Sequence, residues 1–218
     1  YLSSGNSGGC RPKCLYQDEH GQWLVKFRHT YDPMDMGVQE FYCNQLAQRC
    51  GIELPDFKLL NDTYFASKRF DISADGHSLH VATAAALLNE NIYPPKTDYK
   101  VLLALTGFIT QSPSEVEQMF RRMVFNVLIG NKDDHAKNFS FVHREDGWHL
   151  APAYDLTRCA QGYNNEHATS VMGHGNPSQA DMLAAAESIR IPRTRAMEII
   201  RELSETLDRS AVLIAPLF

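Results

Sequence analysis

The sequence predicts an α+β fold in two lobes: a small β-rich part over residues 1–70 and a larger, mainly helical part over 71–218. Three observations carry this. Short strand-forming runs pair around turn residues before residue 70, and a long apolar stripe recurs at helical spacing after residue 112. The chain has 218 residues, 44 % of them hydrophobic, which suits one domain of two lobes or two small domains.

The elements follow in order. "KCLYQ", a turn over "DEHG" and "QWLVKF" read as a β-hairpin. "VQEFYCNQLAQRCG" reads as a helix with Val38, Phe41, Leu46, Ala47 and Cys50 inward and Gly51 as its stop. "DFKLL" and "TYFASKRFD" form a second strand pair around "NDT". The clearest helix starts at "SPSE", with Ser112 as N-cap, Pro113 at the first position and Glu115 completing a capping box. Its stripe is Val116, Met119, Phe120, Met123, Val124, Val127 and Leu128, which is the pattern of core packing. Gly130 ends it. "FSFV", "REDG" and "WHLAP" then make a second hairpin. Ser178 with Asp181 marks another capping box, and "IPRTRAMEIIRELSETL" a further amphipathic helix.

Composition excludes some functions. Charged residues are 22 % and the net charge is −5, so no basic footprint for direct nucleic-acid binding is present. The five cysteines, Cys10, Cys14, Cys43, Cys50 and Cys159, show no CxxC pair or zinc spacing, which points to a reduced, cytoplasmic setting. Apolar runs such as "VLLALTGFI" are too short to cross a bilayer, so no membrane partner is expected. The chain opens on Tyr1 without a signal-peptide pattern, and residues upstream of it are expected.

The chemistry concentrates in "NVLIGNKDDHAKNFSF", residues 126–141, a polar loop held at the end of a rigid helix. Asn138 precedes the second hairpin and Asp155 follows it, so an antiparallel pair brings them together, with Asp133 close in the same loop. Two carboxylates and an amide oxygen are hard ligands of the kind Mg²⁺ prefers. Asp133 to Asn138 has the D-x-x-x-x-N spacing of a protein-kinase catalytic loop, and Asp155 suits the later metal-binding position. Upstream, Gly5, Gly8 and Gly9 lie ahead of a strand, where backbone N–H groups could approach phosphates, although taken alone the stretch reads as a flexible linker rather than a phosphate loop. It lacks the ending of a Walker loop. Lys26 on the following strand and Glu40 on the next helix stand where a kinase keeps its phosphate-binding lysine and that lysine's ion-pair partner.

Together, "GGCRPK", "LVKF", "KRFD", "IGNKDDHAKNFSF" and "LAPAYDL" resemble the HipA-like serine/threonine kinases of bacterial toxin–antitoxin systems. The combination of "GNxDxHxKN" with "PxYD" is highly specific, and the motifs run from residue 5 to about 157. The resemblance implies a bilobal protein-kinase-like fold that uses ATP and Mg²⁺. Asp133, not Asp134, would be the catalytic base. His135, Ala136, Lys137 and Asn138 would line the phosphate and metal site, with Asn138 and Asp155 as metal ligands and Tyr154 completing it. Gly8, Gly9, Cys10, Arg11, Pro12 and Lys13 would form the phosphate loop, Lys26 the nucleotide lysine, and Lys68, Arg69 and Phe70 the hinge against adenine. Glu40 rests on kinase logic and not on a family motif.

By the same resemblance, the partner would be a HipB-like DNA-binding antitoxin and the protein substrate an aminoacyl-tRNA synthetase. Relatives carry an N-terminal subdomain before the glycine-rich loop. This sequence begins at that loop, as a fragment or as one of the short kinases whose subdomain a separate protein supplies. Ser3, Ser4 and Ser7 are candidates for the inhibitory autophosphorylation known in the family, although Asn6 occupies the place of one expected serine. Two other readings use the same residues: a small-molecule phosphotransferase, and a catalytically silent interaction module.

Overall fold

The computed structural model describes residues 11–30, 33–90, 97–159 and 162–210. Strands β1 (Lys13–Asp18) and β2 (Gly21–Lys26) pair antiparallel, with Leu15 opposite Leu24 and Tyr16 opposite Trp23. Gly21 closes their turn at φ +126°, a conformation open to glycine and strained for other residues. Helix α1 (Met36–Arg49) follows and stops before Gly51, at φ +70°. Strands β3 (Phe57–Leu60) and β4 (Tyr64–Lys68) turn over Asn61 and Asp62, at φ +50° and +53°, where short amide and acid side chains are tolerated. β4 also pairs with β2, so the sheet order is β1-β2-β4-β3.

The two faces of this sheet differ because side chains alternate along a strand. Trp23, Val25 and Ala66 pack on one face. The other carries Phe57 and Phe65, with Phe41 of α1 edge-on to Phe57 at 5.6 Å. Lys26, one residue past Val25, therefore lies on the α1 side, its ammonium 5.6 Å from the Phe65 ring centre.

The rest of the chain contains β5 (Val81–Thr83), α2 (Ala84–Leu87), α3 (Tyr99–Thr110), α4 (Pro113–Ile129), β6 (Ser140–Arg144), β7 (Gly147–Leu150), α5 (Gln179–Ser188) and α6 (Arg193–Arg209). β6 and β7 are the expected hairpin. β5, which the sequence did not announce, pairs with β6 to complete a three-stranded sheet. Phe120, Met123, Val124 and Phe125 of α4 pack with Leu102 and Leu103 of α3 and with Ile199 and Leu203 of α6. Cys43, Leu46 and Ala47 of α1 join that same core. Among the described residues no helix is long and apolar enough to cross a membrane.

Two local expectations need correction. Ser112 caps α4 by accepting from the Glu115 N–H at 3.4 Å, but the Glu115 carboxylate does not return to Ser112. It reaches β7 instead, accepting from the Leu150 N–H and meeting His149 Nδ1 at 2.9 Å. A long-range bond to the sheet displaces the local box. Leu128, placed in the core stripe by periodicity, is 38 % exposed because the stripe drifts outward at the helix end. The box at Ser178 and Asp181 is formed in full.

Candidate active site

Gly130, at φ +69°, ends α4, and the polar loop bridges directly into β6. Its neighbouring aspartates have opposite environments. Asp134 is 1 % exposed and acts as a buried acceptor: Oδ2 receives the Tyr99 hydroxyl at 2.8 Å and faces His167 Nδ1 at 3.0 Å, and Oδ1 receives the Thr169 N–H at 3.2 Å. Asn126 donates to the Tyr99 oxygen at 2.9 Å, and Asn131 donates to Asn126 at 3.0 Å, so the network runs back into α4. The Asp133 side chain is 66 % exposed, with His135 Nε2 3.9 Å away. The surrounding protein raises its pKa against the pull of His135, and nearby Asp155 raises it further.

Asn138 donates its amide N–H to the Asp133 carbonyl at 2.9 Å, which leaves the amide oxygen as the atom it can offer a cation. Ala136 is buried, and the Lys137 carbonyl accepts from the Tyr154 hydroxyl at 2.7 Å. Tyr154 also contacts Ser140 and stacks on Phe70, with ring centres 5.8 Å apart and planes 23° apart. His135 Nδ1 is buried without a hydrogen-bond partner among the described residues.

Asp155 sits at φ +55°, a left-handed conformation that costs a non-glycine residue on the order of 1–3 kcal/mol. Its carboxylate contacts the Lys26 ammonium, which also contacts Glu40. Lys26 and Glu40 are 11 % and 2 % exposed, and residue 26 meets a residue 129 positions along the chain. Burial opposes the charge on Lys26, yet Glu40 and Asp155 outweigh it and hold the ammonium's pKa above the usual lysine value. Burial raises the pKa of Glu40 despite Lys26. At Asp155 burial is outweighed by Lys26, and the pKa falls.

The other predicted positions are less central. The Lys68 ammonium pairs with Asp56 at 3.2 Å, and Arg69 forks onto Asp71 at 2.9 and 2.6 Å, so both side chains are engaged locally. The Pro12 carbonyl accepts from the Phe27 N–H at 2.9 Å and extends the first hairpin. Arg11 lowers the pKa of Asp133, and Lys13 that of Asp155, so both basic groups act on the carboxylates electrostatically. Ser3, Ser4, Ser7, Gly5, Gly8, Gly9 and Cys10 lie outside the described residues.

Sequence reading missed the support of the loop: Tyr99, Asn126, Asn131, His167 and Thr169. A signal existed in Asn126, an amide inside an apolar helix, but its partners are tertiary. Among the described residues no three His, Cys, Asp or Glu side chains gather to hold a metal ion. One carboxylate and one amide oxygen, Asp155 and Asn138, suit a Mg²⁺ ion that arrives already bound to phosphates.

Known proteins share this arrangement of elements. Residues 5–211 match the model of the HipA-like C-terminal domain. The chain is 27 % identical to "Putative kinase Y4dM" of Sinorhizobium fredii over 86 % of its own length and 48 % of that protein's. It is 23 % identical to a "Putative kinase" of Haemophilus influenzae over 68 % of its length and 51 % of that protein's. It thus spans about half the length of these curated relatives. HipA of Shewanella oneidensis, solved with HipB and operator DNA, superposes with a TM-score of 0.74 at 18 % identity, covering 100 % of this chain and 62 % of that one. The proinflammatory kinase CtkA of Helicobacter pylori gives 0.63 at 16 % identity, covering 95 % and 91 %. The fold is therefore α+β and kinase-like, and the chain belongs to the HipA-like C-terminal domain family.

Proposed function

We propose that this chain is the catalytic domain of an ATP- and Mg²⁺-dependent protein serine/threonine kinase, the toxin of a bacterial toxin–antitoxin pair acting in the cytoplasm. We read residues 1–70 as its N-lobe and 71–218 as its C-lobe. The observation that carries the reading is the contact of the buried Lys26 with both Glu40 and Asp155, with Asp133 and Asn138 close to Asp155. It joins a sheet lysine, a helix carboxylate and a post-hairpin carboxylate, the parts a kinase needs to orient phosphates.

When bound, Mg²⁺ would neutralise phosphate charge, with Asn138 and Asp155 offering it oxygen. Lys26, freed in part from Asp155, would hold phosphate oxygens through its ammonium. Asp133, open to solvent and with a raised pKa, would accept the proton of the attacking hydroxyl at its carboxylate. Asp134, enclosed by donors, cannot reach that hydroxyl. The glycine-rich segment would cover the phosphates and residues 68–70 would border the adenine.

Shewanella HipA is solved with HipB, and a HipB-like antitoxin is the partner we propose. The proposed substrate is an aminoacyl-tRNA synthetase, with autophosphorylation at Ser3, Ser4 or Ser7 as the off-switch. Incubation with γ-labelled ATP, Mg²⁺ and purified aminoacyl-tRNA synthetases tests the reading. Label on serine or threonine of a synthetase is expected. Label only on small molecules, or no turnover, would sink it.

A further inference from the structure

Arg122 of α4 is 2 % exposed, and its Nε and Nη2 have no hydrogen-bond partner among the described residues. These two nitrogens form one edge of the guanidinium, the edge that donates two parallel hydrogen bonds. Asn131 supplies the complementary defect: its Nδ2 is bonded to Asn126, but its Oδ1 is a buried acceptor without a partner. Both residues line one cavity at the site, bounded also by Asp134, Asn138, Tyr154 and Asp155, with room for about one water.

Unpaired buried donors and acceptors are rare because each forfeits its hydration. Burial pushes the pKa of Arg122 down to about 10, so the group is still charged at neutral pH. The walls decide what can satisfy it. Asp134 and Asp155 disfavour an anion here, and a cation cannot accept from the guanidinium edge. A water molecule can both accept from the guanidinium and donate to an amide oxygen, and the cavity has room for one.

We infer that this cavity is a hydration site, in which one ordered water accepts from Arg122 Nε and Nη2 and donates to Asn131 Oδ1. The water ties the middle of α4 to the start of the polar loop. This holds whether or not the chain is a kinase, because it concerns the solvation of a buried charge.

The sign of a stability change tests it. Replacing an uncompensated buried charge by an apolar side chain of similar length is neutral or stabilising. Replacing the anchor of a bound water is destabilising, since the water loses its partner and Asn131 Oδ1 loses the water. Arg122→Met is therefore expected to lower Tm by about 2–6 °C, and an unchanged or raised Tm would overturn the inference. A crystal structure of the native chain gives a second readout that stands even if this variant does not fold. Ordered water within hydrogen-bond distance of both Arg122 and Asn131 Oδ1 supports the site. An empty cavity, an anion in it, or a guanidinium turned onto Glu53 or Glu115 refutes it.

Discussion

The four-stranded sheet and the helical body are held together by different forces. Among the described residues, one face of the sheet buries Trp23, Val25 and Ala66, with Cys14, Phe27 and Leu60 packed against them, whereas the body buries the apolar faces of α3, α4, α5 and α6 together with part of α1. The sheet meets the post-hairpin segment through an ion trio, Lys26 with Glu40 and Asp155, and a stacked pair, Phe70 on Tyr154. Apolar burial is non-directional and fixes the scaffold; charges and rings are directional and fix where the sheet's lysine sits. The same contrast recurs within one loop, where Asp134 belongs to the body and Asp133 to the open site.

The largest expected effect separates those two aspartates. Asp133→Asn should lower turnover by on the order of 10²- to 10⁴-fold with the fold intact. Asp134→Asn should act on stability, because its new N–H₂ group faces donors, at a cost of roughly 1–3 kcal/mol for each buried group left unmatched. Equal loss of turnover and unchanged melting in both variants would erase the distinction.

Core truncations compare the two regions directly. Phe120→Ala in the body should cost about 3–5 kcal/mol, and Val25→Ala in the sheet roughly 2 kcal/mol. Urea denaturation measures both, and equal costs would mean that the sheet is packed as tightly as the body.

Lys26→Met leaves Glu40 buried without its cation, which for such pairs costs about 3–5 kcal/mol. Burial already raises the Glu40 pKa, so the group should escape part of this cost by taking up a proton. Lys26→Met/Glu40→Gln should recover stability without recovering nucleotide binding. Recovery of both would remove Lys26 from the site.

The smallest effect is pH-dependent. His149 lies between Glu115 and Asp146, whose hydrogen bonds raise its pKa above 6.5. A raised folded-state pKa contributes stability that is complete below the unfolded value and lost as pH rises through the folded one. Melting temperature should therefore fall slightly on going from pH 6 to pH 8.5, and the fall should vanish in His149→Gln. A fall that persists in the variant would assign it to another group.

The sequence alone determined the elements whose causes are local. Gly51 and Gly130 end helices because the left-handed stop suits glycine, Ser112 and Pro113 start one, and Ser178 with Asp181 forms a complete box. It also determined the loop chemistry, since "GNKDDHAKN" carries its donors and acidic groups within nine residues. Tertiary structure decided what depends on distant partners. β5 is three residues long and exists as a strand because β6 pairs with it. Glu115 abandons its own cap for β7, and Lys26 meets Asp155 across 129 positions. Arg122 and Asn126, four residues apart on α4, face inward only because the loop and its water-sized cavity lie there. Periodicity reports which face of a helix is apolar; which polar side chain is sealed beneath a site depends on what the fold brings over it.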